Sequence, residues 1–150
     1  MSTPPQTIDD PELGRLHRAE TTLDDGDVVV HDWFAGTLTI DGHEVELMID
    51  GADADSVSAL LPRVHSLVAD LDAVRRRASD AVVTQFSESA PSPTDLDQAA
   101  DDLVLDTIET TDDSTVLHFT DSCGEHFPAG FWPAVHLKVD GEVAEVTVEG

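Results

Sequence analysis

The sequence predicts an α+β domain, a mainly antiparallel sheet with one long and one short helix packed on one face. Three observations carry this. Residues 28–49 have strand composition with period-two alternation, residues 57–86 switch to steps of three and four, and residues 103–148 return to strand spacing. An order of strands, helices and strands is that of an antiparallel sheet with helices segregated to one side.

Met1 to Pro11, polar and with three prolines, has few apolar residues to offset the entropy of ordering and reads as a disordered tail; residues 12–150 form the single domain. Glu12–Glu20 reads as a short amphipathic turn and Asp24-Asp25-Gly26-Asp27 as a loop. Two strands follow, Val28–Phe34 and Gly36–Ile40, and then Asp41-Gly42, a strong hairpin signal. Beyond it Val45, Leu47 and Ile49 alternate with Glu44, Glu46 and Met48, the pattern of a half-buried strand. From Val57 to Phe86 the apolar positions describe one long amphipathic helix, with Pro62 marking a kink or a fresh start. Asp53 and Asp55 lie where the helix dipole favours carboxylates, and the spacing lacks the D-x-D-x-D-G order of a calcium loop. Ser92-Pro93-Thr94-Asp95 is a helix start, with a cap residue, a proline at the first helical position and an acid in the first turn. Leu103–Glu109 and Val116–Phe119 read as strands, and Phe131–Val139 pairs with Val143–Val148 across Asp140-Gly141.

Thirty-two acidic residues face seven basic ones, of which only Lys138 is a lysine, and the formal charge is -25. The acids are spread along the whole chain, as suits a halophile-type protein that stays hydrated in multimolar salt, where self-repulsion is screened over about 3 Å. Nucleic-acid binding is not expected, because phosphate contacts need basic clusters. The one basic run, Arg75-Arg76-Arg77, covers most of a helix circumference and reads as a solvated face. A single cysteine excludes an internal disulfide, no leader pattern opens the chain, and no apolar run nears the length that crosses a bilayer. The expectation is a soluble cytoplasmic protein that does not engage membranes.

Phosphate-cradling loops, G-x-S-x-G and H-E-x-x-H are all missing. Three constellations remain. Cys123-Gly124-Glu125-His126 has a C-x-x-H spacing that can supply two zinc ligands, with His118, His136 or Asp121 completing the set. Alternation puts His118 and His136 on the wetter side of the sheet, where exposed histidines without a ligand are the plainer reading. Cys123 is also a candidate nucleophile, with His126 or His118 as base and Asp121 as orienting acid, although a lone cysteine more commonly serves as a small hydrophobe. Trp33-Phe34 and Phe127, Phe131 and Trp132 are candidates to meet across the sheet as core, or to form a partner-binding patch centred on Trp33, Phe127 and Trp132.

Trp33-Phe34-Ala35-Gly36, the helical stretch up to Phe86, Phe119-Thr120-Asp121, Gly124-Glu125-His126-Phe127 and Val146-Thr147-Val148-Glu149-Gly150 together resemble the family called domain of unknown function 2262. More loosely, they resemble small proteins suspected as immunity partners of bacterial toxins. Ser122-Cys123 and Pro128-Ala129-Gly130 depart from the family pattern. The resemblance implies an α+β fold and no established activity. The functional expectation is thus a non-enzymatic module that binds another protein. The alternatives are a metal-binding protein or metal-dependent hydrolase using His118, Cys123, His126 and His136, and a toxin-neutralising partner.

Overall fold

In a computed structural model, which describes residues 7–124 and 126–150, the chain builds one eight-stranded sheet with three helices. The strands are β1 (Thr7–Asp10), β2 (Gly14–Thr22), β3 (Val28–Ile40), β4 (His43–Asp50), β5 (Leu103–Thr110), β6 (Ser114–Asp121), β7 (Trp132–Lys138) and β8 (Val143–Glu149). Their order in the sheet is their order in sequence. Every neighbouring pair is antiparallel except β4 and β5. That parallel pair is joined by the helical crossover α1 (Ala54–Ala69), α2 (Leu71–Phe86) and α3 (Pro93–Asp102). Two four-stranded meanders therefore meet edge to edge at β4 and β5, since parallel neighbours need a long connection.

The alternation read from the sequence decides the faces. Phe34, Val45, Leu47, Ile49, Leu105, Ile108, Leu117, Phe119, Val135 and Leu137 point to one side and are buried. Val57, Leu61, Val64, Leu71, Val74, Ala78 and Val82 of α1 and α2 pack on them. The other face carries Glu44, Glu46, Thr107, Glu109, His118, His136 and Thr147 at the alternate positions, so it is polar, as an antiparallel sheet covered on one side requires. Gly36 is used for close approach, because a Cβ there would collide with Leu16 Cδ2 in the packed interior.

Local signals hold at three places. Asp41 and Gly42 both adopt positive φ, 51° and 85°, in the β3–β4 hairpin, the conformation that a two-residue turn of this type needs. Asp53 caps α1 by accepting from the Ser56 amide at 2.8 Å, the capping role expected of it, and Asp55 lies in the first turn. Ser92 and Asp95 form a reciprocal capping box at the start of α3.

The structure departs from the sequence reading at four places. Thr7–Asp10, assigned to the tail, pair with β2, while Met1–Gln6 lie outside the described residues. Glu12–Glu20 is a turn leading into β2 instead of an amphipathic segment. The two strands expected over 28–40 are one continuous strand of 13 residues. The long helix is two helices broken at Asp70, and Pro62 stays inside α1, so one long and one short helix become three. At the break the Asp70 amide bonds back to Leu67 while its carbonyl accepts from Val74, closing one helix and opening the next.

Candidate functional site

The loop from Asp121 to Phe131 leaves the end of β6 beside the C-terminus of α3. Its organiser is Asp121. One carboxylate oxygen accepts from the backbone amides of His126 (2.7 Å) and Phe127 (3.1 Å), and the other accepts from the Cys123 thiol (3.2 Å). Burial pushes the Asp121 carboxyl up, but the His126 amide, the Cys123 thiol and the Phe127 amide outweigh it and hold it below the usual carboxylate range. Ser122 ties the loop to α3, donating from its amide and its hydroxyl to the Asp102 carbonyl at 2.8 and 2.7 Å.

This folding brings Cys123 and His126 together with Asp102, which sequence reasoning did not name. The ligand atoms of the three lie within 4.8 Å of one another, and His126 Nε2 is 3.0 Å from Asp102 Oδ2. His118 and His136 are elsewhere, on the helix-free face of the sheet. The Trp132 indole N–H donates to His118 Nδ1 at 3.1 Å, and His118 Nε2 meets Glu109 at 3.0 Å. His136 Nε2 bonds the Thr147 hydroxyl at 2.9 Å. Both sit on one sheet face, as alternation requires, yet Val116 stands opposite His136 and Ala134 opposite His118. Of the four residues named from the sequence, Cys123 and His126 come together, with Asp102 beside them, and His118 and His136 do not join them. A carboxylate at the C-terminus of α3 was the available signal, since the helix dipole disfavours an acid there unless something positive compensates.

In the nucleophilic reading Asp121 does not take the orienting part given to it. Asp121 reaches the backbone of His126 instead of its ring, the ring turns to Asp102, and His118 is engaged with Trp132 and Glu109.

The aromatic residues do not form one patch. Phe34 is wholly buried, whereas Trp33 points to the opposite face and stacks on His31, with centroids 4.3 Å apart and planes 17° from parallel. Trp132 belongs to β7, four strands away from β3, a separation of about 19 Å at the usual strand spacing. Phe127 packs edge-on against Phe86 at 5.7 Å. It lines a cavity of about 300 Å³ with Val82, Val83, Ala99, Leu103 and His126.

A surface that the sequence reading passed over lies at the β2–β3 hairpin. Beyond Trp33, which pairs with Asp50, β3 runs past the end of β4, and residues 28–30 pair only with β2 among the described residues. Residues 21–30 are all exposed, including Leu23, Val28, Val29 and Val30, each 42–51 % accessible. This two-stranded arm is braced at its root. Arg18 Nε donates to the His31 carbonyl at 2.9 Å, its Nη2 pairs with Asp32 at 3.0 Å, and Thr21 meets the His31 ring at 2.7 Å. Its tip, Leu23 to Asp27, is closed by backbone bonds and carries three aspartates.

The basic run on α2 is occupied. Arg75 pairs with Asp41 and Asp72, and Arg76 with Asp80 and Asp97. Burial pulls the Arg75 guanidinium down, but the carboxylates of Asp41 and Asp72 more than offset it and hold the charge. No described helix is long and apolar enough to cross a membrane.

The depressed carboxyls carry a pH prediction. Asp53 is held low by the Ser56 amide. At Asp10, burial acts upward but is outweighed by the amides of Leu13 and Glu12 and by His65. With Asp121, these groups titrate lower folded than unfolded. Each therefore stabilises the fold above its unfolded pKa, and that stabilisation is lost as pH falls through the folded value. At multimolar salt, the thermal midpoint is expected to hold from pH 7 to about 5 and to decline below about 4. A midpoint that rises below pH 4 would contradict the assignment of these bonds to the folded state.

No family model matches the chain, and no curated protein or solved structure matches it either.

Proposed function

We propose that the chain is a non-enzymatic protein-binding module that engages its partner through the β2–β3 arm. The observation behind this reading is the run Val28-Val29-Val30, exposed on both faces of a strand whose outer edge has no described neighbour. Such an edge invites pairing with another chain, and natural proteins usually blunt it with charge, proline or a bulge directed at the edge. Here the most solvated segment of an acid-rich chain keeps three consecutive valines. The ordering bonds at the root and tip hold the arm extended before it binds, which reduces the entropy lost on association.

The partner that suits this surface presents an extended apolar segment flanked by basic residues. Main-chain bonds along the open edge would supply affinity, the valines would supply buried apolar area, and Asp24, Asp25 and Asp27 at the tip would meet the basic flank. The toxin-neutralising role implied by the resemblance would be one instance of such binding. The test is co-purification at multimolar potassium chloride with the intact chain and with a Val28→Lys/Val30→Lys variant. A protein retained by the former and lost by the latter, at equal thermal midpoint, is the expected result. Identical retention by both chains would remove the arm from the account.

A further inference from the structure

We infer that Asp102, Cys123 and His126 form a binding site for a zinc-class divalent transition ion, independent of the arm and of the proposed protein binding. The three residues offer a carboxylate oxygen, a thiol sulfur and an imidazole nitrogen whose ligand atoms already lie within 4.8 Å of one another. A tetrahedral zinc ion with bonds of about 2.0–2.3 Å needs its ligands about 3.3–3.8 Å apart. His126 and Asp102, at 3.0 Å, are already closer than that. The remaining closure falls to Cys123, which is exposed in the loop.

Two further features fit a cation at this point. Asp102 belongs to the last turn of α3, where the dipole disfavours a carboxylate, and its side chain is only 22 % exposed. A divalent ion there would compensate both the carboxylate and the helix end. Asp121 stands behind the ligands, accepting from the Cys123 thiol and the His126 amide, and so fixes the loop that presents both of them. A mixed sulfur, nitrogen and oxygen set selects zinc, cobalt or copper over magnesium and calcium, which prefer oxygen alone. Binding converts the Cys123 thiol to thiolate, with its proton released to solvent, so affinity rises with pH. Three protein ligands leave a fourth position for water, and His126 also lines the cavity beside Phe127, which Ser87, Asp95 and Gln98 share with apolar side chains.

Diffuse attraction of divalent ions to a chain of charge -25 must be separated from ligation. The intact chain is therefore titrated with cobalt(II) in multimolar potassium chloride and excess magnesium, following the thiolate-to-cobalt absorption band and then its bleaching by added zinc. One equivalent is expected to saturate the band. Cys123→Ser should abolish it. His126→Gln and Asp102→Asn should each weaken binding at least about a hundredfold, and Asp121→Asn about 10- to 100-fold. His118→Gln and His136→Gln should leave it unchanged. Absence of the band in the intact chain, or its loss in the His118 or His136 variants with retention in His126→Gln, would overturn the assignment. Circular dichroism of each variant at the same salt identifies any that fails to fold, and for such a variant alanine at the same position gives the reading.

Discussion

Transfer from multimolar potassium chloride to dilute buffer is expected to lower the thermal midpoint by about 10 °C or more, the scale set by a loss of several kcal/mol in a domain of this size. The cause is the charge of -25. Two carboxylates about 10 Å apart repel by about 0.4 kcal/mol in unscreened water, and the screening length grows from about 3 Å at 1 M to about 30 Å at 0.01 M. Repulsion that reaches only adjacent groups in strong salt then acts across the whole domain. Compensation is sparse. The arginine salt bridges among the described residues engage Arg15, Arg18, Arg75 and Arg76, and most involve exposed carboxylates of little individual worth. Arg63 instead holds the carbonyls of Thr111, Asp112 and Ser114. A midpoint independent of chloride concentration would show that the acidity has no stabilising partner in the solvent.

Phe34→Ala is expected to cost about 3–5 kcal/mol, the range for deleting a wholly buried phenylalanine. Phe34 sits in the middle of β3, opposite Ile49 on β4 and adjoining β2, so its removal opens a cavity where the first meander meets the helices. Trp33→Ala, one residue earlier on the same strand, should cost clearly less, because that ring lies on the helix-free face against His31. Urea unfolding of both variants at multimolar salt separates them. Equal losses would mean that the two faces of β3 are not distinguished as described.

Alternation did not separate Trp33 from Phe34, which read together as one aromatic pair, but it was legible elsewhere in the sheet. Period-two alternation separated Leu117 and Phe119 from His118 because those strands have one dry face, and the Asp-Gly pairs and the Ser92 cap announced themselves through local chemistry. β1 and β2 gave little signal, since an edge hairpin buries only Leu13 and Leu16 on the core side and otherwise reads as polar chain. The break at Asp70 was hidden because Leu67, Leu71 and Val74 continue the three-and-four spacing through it although the backbone leaves helical geometry there. Pro62 drew attention to the wrong residue. Its missing N–H falls within a helix whose Val57, Leu61 and Val64 are anchored in the core, and packing outweighs the lost bond. In the loop, Cys123 and His126 were visible as neighbours in sequence, whereas Asp102 lies more than twenty residues upstream and joins them only because Ser122 fastens the loop to the end of α3. The arm was missed for a different reason. Its valines read correctly as strand, but that β4 stops short of them is a property of the register, which alternation does not convey.

Amide hydrogen exchange of the chain, alone and with the co-purified partner, at multimolar potassium chloride, tests the binding arm most directly. The account predicts fast exchange at Val28 and Val30 in the isolated chain, marked slowing of these amides in the complex, and little change in β6 and β7. Protection arising at the helices or at the Asp121–Phe131 loop, with the arm exchanging as fast as before, would contradict it.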